Sequence, residues 1–184
     1  MTDEYISLVP ARDANNVIQW TMIHNGWVGQ GGNYPDVDLP KNQPNTKIEF
    51  TIVDINGLGI KFDPKVVDNA SNPKAVNAIW IAEGSGSPKA AGAYPTQIDQ
   101  VQLIKNNSKL VVTDKNSDAS VFTYQLNFVK PGTTEAIPPI DPEIRNGGGG
   151  KNYFNVDALS LVLGFTVLAL VGLMWVGRLR NRGK

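Results

Sequence analysis

The stretch that decides the fold is Val121-Phe-Thr-Tyr-Gln-Leu-Asn-Phe128. Phe122, Tyr124, Leu126 and Phe128 share one parity, and the residues between them are mostly polar. Successive side chains of a β-strand point to opposite faces, so this alternation predicts a strand with one apolar face.

Working outward, residues 97–128 predict a three-strand meander that turns at 106–109 and at 114–118. Residues 47–62 predict a hairpin around Asn56-Gly57, a dipeptide typical of tight turns. Further strand-like runs cover 17–23 and 78–82, and no helical apolar period precedes residue 158. These patterns predict an all-β fold, an immunoglobulin-like β-sandwich in outline.

A different pattern occupies the C-terminus. Residues 158–176 form a stretch of 19 residues, from Ala158 to Val176, without a charge. At about 1.5 Å per residue such a helix spans roughly 28 Å, which matches the bilayer core. We therefore predict one C-terminal transmembrane α-helix. Its expected membrane-interface residues are aromatic or basic: Tyr153, Phe154, Trp175, Arg178 and Arg180.

Small residues mark one face of this predicted helix. Ser160, Gly164 and Gly172 recur at multiples of four, which allows a neighbouring helix to approach closely. We expect this face to pack against another membrane helix, although Gly and Ser are also common in membrane helices that pack against nothing.

A length of 184 residues suits one compact domain with a short appendage. The predicted divisions are an N-terminal segment 1–13, a β-sandwich domain 14–136, a Pro/Gly-rich linker 137–157, the transmembrane helix 158–176 and a basic tail 177–184. Within the linker, 137–144 is Pro-rich and extended, whereas 146–150 carries four glycines and is expected to be flexible.

Two orientation cues conflict. The basic tail favours a cytoplasmic C-terminus. The chain starts at Met1 with no leader-like run, however, and moving a short tail across a membrane is easier than moving a domain. We therefore expect a single-pass, tail-anchored protein with its domain in the cytoplasm, and the periplasmic or extracellular side is the alternative.

Charge and composition exclude several functions. Five of the 17 Lys+Arg and one of the 17 Asp+Glu lie in 151–184, so the domain is mildly acidic, which argues against nucleic-acid binding. The chain has no Cys and a single histidine, His24. Nucleophilic and acid–base catalysis usually pair a His with other groups, so the sequence predicts no enzyme, no cofactor and no identifiable small-molecule substrate.

One loop imitates the opening of a calcium site. Asp114, Asn116 and Asp118 alternate as oxygen ligands do in such loops. Ala119 stands where a Gly is required and Gln125 where a bidentate Glu is required. An Asx-rich hairpin turn explains the same residues.

The longest irregular stretch runs from Gly26 to Pro40. It contains Trp27 and Tyr34, which are candidates for contact with a partner protein because exposed aromatic residues often anchor interfaces. The alternative is that the loop folds back and buries both side chains locally.

The segments 110–114, 124–128 and Asp141-Pro-Glu-Ile-Arg-Asn146 together resemble the bacterial DP-EP family, over residues of about 47–146. The resemblance implies a small β-sandwich and brings no catalytic residues or cofactor. The added membrane helix departs from the family's usual soluble form.

Three hypotheses for function follow. The first is a non-catalytic accessory subunit of a larger membrane complex, such as a respiratory or photosynthetic assembly, whose partners are the lipid bilayer and other membrane-protein subunits. The second is a viral or phage minor capsid protein that links an internal membrane to the shell. The third is a carbohydrate-active or ligand-binding β-sandwich.

Overall fold

The computed structural model describes residues 3–39, 43–66, 76–84, 88 and 94–146. The predicted membrane helix 158–176, its packing face (Ser160, Gly164, Gly172), its interface residues (Tyr153, Phe154, Trp175, Arg178, Arg180) and the tail 177–184 lie outside these residues. Within the described part of the chain, no helix has the length and apolar character that a membrane span needs.

The described residues form an all-β structure, which confirms the predicted class. The strands are β1 (Glu4–Arg12), β2 (Ile18–His24), β3 (Trp27–Gln30), β4 (Val37–Leu39), β5 (Thr46–Ile52), β6 (Lys61–Phe62), β7 (Ile79–Glu83), β8 (Ile98–Ile104), β9 (Lys109–Asp114), β10 (Val121–Leu126), β11 (Phe128–Val129) and β12 (Glu143–Asn146).

Six strands form the first sheet in the order β3-β2-β1-β5-β9-β8. Neighbours are antiparallel except β1 and β5, which run parallel. The second sheet has the order β4-β12-β10-β7, and β6 pairs with β11 as a two-stranded ribbon.

One apolar core lies between these sheets. Tyr124 of the second sheet packs on Phe50 of the first, with ring centroids 5.4 Å apart. The alternation in β10 is confirmed, because Phe122, Tyr124 and Leu126 are all fully buried. Both sheets contribute their inward side chains to a single hydrophobic cluster, as a sandwich-like arrangement requires.

The predicted hairpin at Asn56-Gly57 is wrong. Gly57 does turn the chain with a positive φ of 65°. However, β5 pairs with β1 and β9, whereas β6 pairs with β11. The Asp54 carboxylate accepts hydrogen bonds from the Leu58 and Gly59 backbone N–H groups, at 2.9 and 2.7 Å. This Asx-stabilised loop carries the chain to another sheet instead of folding it back on its neighbour.

The predicted meander is correct for two strands and wrong for the third. β8 and β9 form an antiparallel hairpin, but β10 joins β7 and β12 in the other sheet. The connection 115–120 allows this because it is long enough to cross between sheets and is held at its start by an Asx turn at Asp114. Alternation identifies the buried face of β10 but not its neighbours.

The structure also differs from the expected boundaries at both ends of the domain. Residues 4–12, expected as a separate segment, form β1 in the interior of the first sheet. In the expected linker, Ile140 and Ile144 are fully buried, and β12 lies between β4 and β10. Prolines tolerate this position because they still accept hydrogen bonds, as when Tyr124 N–H donates to the Pro142 carbonyl at 3.1 Å.

Candidate functional site

A tight turn joins β2 to β3. Asn25 and Gly26 both have positive φ, at 48° and 81°, and the turn places Trp27 directly opposite His24. Asn-Gly favours this geometry because both residues tolerate the left-handed region. The stretch 26–40, expected to be irregular, therefore contains β3 and β4.

Beneath this turn lies a buried polar cluster. Glu4 Oε2 is 3.0 Å from His24 Nε2, and Asn25 Nδ2 donates to the same oxygen at 3.1 Å. Glu4 is 7% exposed and His24 4% exposed. The Glu4 carboxyl thus has hydrogen-bond partners inside the domain, as buried polar groups require, and the cluster links the start of β1 to the end of β2.

The two predicted partner-contact residues have different environments. Tyr34 is partly buried and packs against the core, and this burial raises the pKa of its phenol. Trp27 lies in β3, on the same face of the sheet as its cross-strand neighbour His24, and its side chain is partly exposed. The loop thus folds back over Tyr34, as the alternative interpretation predicted, and leaves part of Trp27 accessible.

A better candidate for contact is the outer face of the first sheet. Tyr5, Ile23 and Val28 are 61%, 36% and 60% exposed. Ile23 lies directly opposite Val28, and Tyr5 lies diagonally from Ile23 across the β1–β2 pair. Side chains in such positions are close enough to form one patch. We call these three residues the β1–β3 surface.

Charged residues border this surface on one side. Glu49 lies opposite Tyr5 on β5 and forms an ion pair with Lys109 of β9. An apolar patch bordered by polar groups is the usual layout of a protein-interaction site. Sequence reasoning missed it because its three residues come from three strands. The Asn25-Gly26 dipeptide is a sequence signal that β2 and β3 are adjacent, but it says nothing of β1.

A cleft of about 320 Å³ lies near the β1–β2 turn, and it is lined by Ala11, Arg12, Asp13, Gln19, Trp20, Thr21, Gln30 and Gly31. Several of its polar groups already have hydrogen-bond partners within the domain. Asp13 accepts from Val17 N–H at 2.9 Å and from Gln19 Nε2 at 3.2 Å, and the bond from Val17 contributes most to lowering the pKa of Asp13. Trp20 is only 2% exposed, so its ring is not available for stacking. We assign this cleft no ligand.

The calcium candidates form a turn. Asp114 Oδ1 accepts from Asn116 N–H at 2.7 Å, and Asp118 Oδ2 accepts from Gln97 Nε2 at 2.6 Å. The first contact is that of the Asx turn that the sequence offers as the alternative, and the second links the turn to the residue before β8. Among the described residues, no group of three or more His, Cys, Asp or Glu is placed to hold a metal ion.

No protein-family model and no curated protein matches this chain. The resemblance to the DP-EP family therefore stays a prediction.

Proposed function

We propose that this chain is a non-catalytic, tail-anchored accessory subunit of a larger membrane complex. Its domain, an immunoglobulin-like β-sandwich, contacts another subunit through the β1–β3 surface. Residues 158–176 hold it in the bilayer with the domain on the cytoplasmic side. Two sheets that share one core support the sandwich assignment.

The observation that carries this proposal is the β1–β3 surface. Tyr5 and Val28 each expose about three fifths of their area on an otherwise regular sheet face. Scattered exposed apolar residues need no explanation, but adjacent ones do. Burying apolar area stabilises a complex by roughly 25 cal/mol per Å², so three such side chains suit a modest, specific contact.

The position of the last strand supports an anchoring role. β12 ends at Asn146, immediately before the Gly-rich run 147–150, and it lies between β4 and β10 within the sheet. A tether attached to an interior strand transfers its tension to hydrogen bonds on both sides of that strand. An edge strand would have only one such row.

The anchor is tested by replacing two central apolar residues. Leu163→Arg/Leu168→Arg is expected to move the chain from the carbonate-washed membrane fraction to the supernatant, because each central Arg costs about 3 kcal/mol on insertion. Leu163→Ile/Leu168→Ile is the matched control and is expected to remain with the membrane. Wild-type chain that stays soluble after ultracentrifugation without detergent would contradict the proposal.

The contact surface is tested separately, in mild detergent. Wild-type chain is expected to co-migrate with stoichiometric membrane subunits, and Val28→Asp is expected to lose them. Val17→Asp is the control because Val17 is also exposed, at 46%, but lies in the β1–β2 connection away from this surface. Isolated wild-type monomer, or equal loss in both variants, would contradict the proposal.

A further inference from the structure

The two edge strands of the first sheet, β3 and β8, differ in whether another part of the described chain covers them. Beyond β3 the chain turns back, and Asn33 N–H donates to the Gln30 carbonyl at 3.1 Å. This return segment packs so closely that a Cβ on Gly29 would lie 2.3 Å from the Asn33 oxygen. At the other edge, no described strand pairs with the side of β8 that faces away from β9.

β8 is a suitable template for another strand. Residues 100–104 contain no proline and no charge, and the register shift between Ile98 and Gln100 leaves them regular. Gln100, Gln102 and Ile104 are exposed on this strand. Proline, charge and bulges are the devices that normally protect an edge strand. Here proline and charge are absent from the last five residues of the strand, whereas Asp99 and the register shift lie at its start.

An additional strand at this edge would also bury more of the inward-facing side chains of β8. Val101 and Leu103 face the core, opposite Val112 and Leu110 of β9. Both are only partly buried, unlike Val112 and Leu110, which are fully buried. A strand added at this edge would cover their exposed area.

We propose that β8 pairs antiparallel with β8 of a second copy of this chain, around a two-fold axis through Gln102. This register places Val101 of each copy opposite Leu103 of the other, so their apolar faces meet. It also places Asp99 of each copy opposite Lys105 of the other. The dimer would join the two first sheets into one continuous sheet.

Charge complementarity selects this register over its neighbours. Asp99 and Lys105 are exposed, and Lys105 lies in the turn that follows β8. Within the described part of the chain, Asp99 Oδ1 lies 4.0 Å from Lys115 Nζ, at the outer limit of an ion pair. Centring the pairing on Val101 would put Asp99 opposite Leu103, and centring it on Leu103 would put it opposite Asn107. Neither offers an opposite charge.

The chain's lack of cysteine allows a direct test. Gln102→Cys in the full-length chain, in mild detergent, places two thiols at the axis, within reach of a disulfide because paired residues lie about 5 Å apart. We expect it to form the disulfide-linked dimer at least about tenfold faster than Lys47→Cys, an exposed residue on the interior strand β5. Equal rates, or disulfides formed mainly with other proteins, would overturn the proposal.

The register is tested by exchanging charges in the Gln102→Cys background. Asp99→Lys and Lys105→Asp are each expected to slow cross-linking, since like charges then face each other. The two changes together restore the opposite pairing and are expected to restore the rate. Because both sites are exposed, folding should be preserved. A double variant that stays as slow as the single variants would overturn this register.

Discussion

Trp20 stacks on Phe128 with ring centroids 4.0 Å apart and an interplanar angle of 29°. Trp20 belongs to β2 of the first sheet, and Phe128 belongs to β11 in the β6–β11 ribbon. The indole Nε1 also donates to the Pro138 carbonyl at 2.9 Å. One side chain therefore connects the first sheet, the β6–β11 ribbon and the Pro-rich segment that leads to β12.

This stack predicts a large and coupled loss of stability. Trp20→Ala and Phe128→Ala are each expected to lower the free energy of unfolding by about 3–5 kcal/mol, because each leaves a cavity in the core. The double variant should lose less than the sum, by about 0.5–1.5 kcal/mol, since the stacking is lost only once. Urea titration measures all three, with the exposed Val17→Ala as a near-neutral control. Strict additivity would show that the rings do not interact energetically.

The Glu4–His24 contact predicts a graded effect. Glu4→Ala removes the acceptor of both His24 and Asn25 inside a buried site, and we expect a loss of about 3–5 kcal/mol. Glu4→Gln keeps an oxygen at the position that accepts both hydrogen bonds and should cost less, because both bonds can survive. Thermal unfolding of the two variants, side by side, provides the comparison. Equal losses would contradict this expectation, because they would mean that the carboxylate charge, which both variants remove, matters here and that side-chain volume and a neutral acceptor do not.

The sequence predicts local features of the fold better than its connections. The buried parity of β10 follows from alternation alone, since the two-residue period of a strand does not depend on its neighbours. The neighbours of β5 and β10 depend on long connections whose course is set by side-chain hydrogen bonds, such as those of Asp54. The Pro-rich segment around Ile140 illustrates a further difficulty, because proline lowers strand propensity without excluding a strand that is placed by tertiary packing.

The candidate contact site was harder to predict for a physical reason. Aromatic type drew attention to Trp27 and Tyr34, but burial decides whether an aromatic residue is accessible, and Tyr34 packs on the core. The β1–β3 surface can be recognised only when the pairing registers of its three strands are known. The β8 edge likewise follows from sheet order, which no single stretch of sequence specifies.

Gly29 predicts a sharp steric effect. Its added Cβ would meet backbone and ring atoms of Asn33, Tyr34 and Pro35 between 2.3 and 2.8 Å away. Gly29→Ala is therefore expected to lower the free energy of unfolding by an amount near the upper end of about 1–3 kcal/mol and to loosen the return segment over β3.

Gly31→Ala is the control. Its Cβ would meet nothing within 4 Å, so only the strain of φ +61° remains, about 1 kcal/mol. Hydrogen exchange of the β3 amides, together with urea unfolding, distinguishes the two. A Gly29→Ala protein that protects β3 like the wild type would contradict the packing argument.

Tyr124 predicts how stability changes at alkaline pH. Burial, with a smaller contribution from the charge of Asp36, raises the pKa of Tyr124 well above 10.0. The unfolded chain therefore ionises first. The stabilisation that comes from keeping this buried phenol protonated is complete below its pKa in the unfolded chain. It is lost as the pH rises from there toward the pKa of the phenol in the folded chain.

Tyr124→Phe removes this titration. At neutral pH we expect it to be neutral or stabilising by up to about 1 kcal/mol, because the hydroxyl has no hydrogen-bond partner among the described residues. Between about pH 9 and pH 11 its free energy of unfolding should fall less steeply than that of the wild type. Tyr5→Phe, at a side chain that is 61% exposed, is the matched control and should follow the wild-type curve. The same alkaline slope for wild type and Tyr124→Phe would show that this phenol ionises equally readily in the folded and unfolded chains.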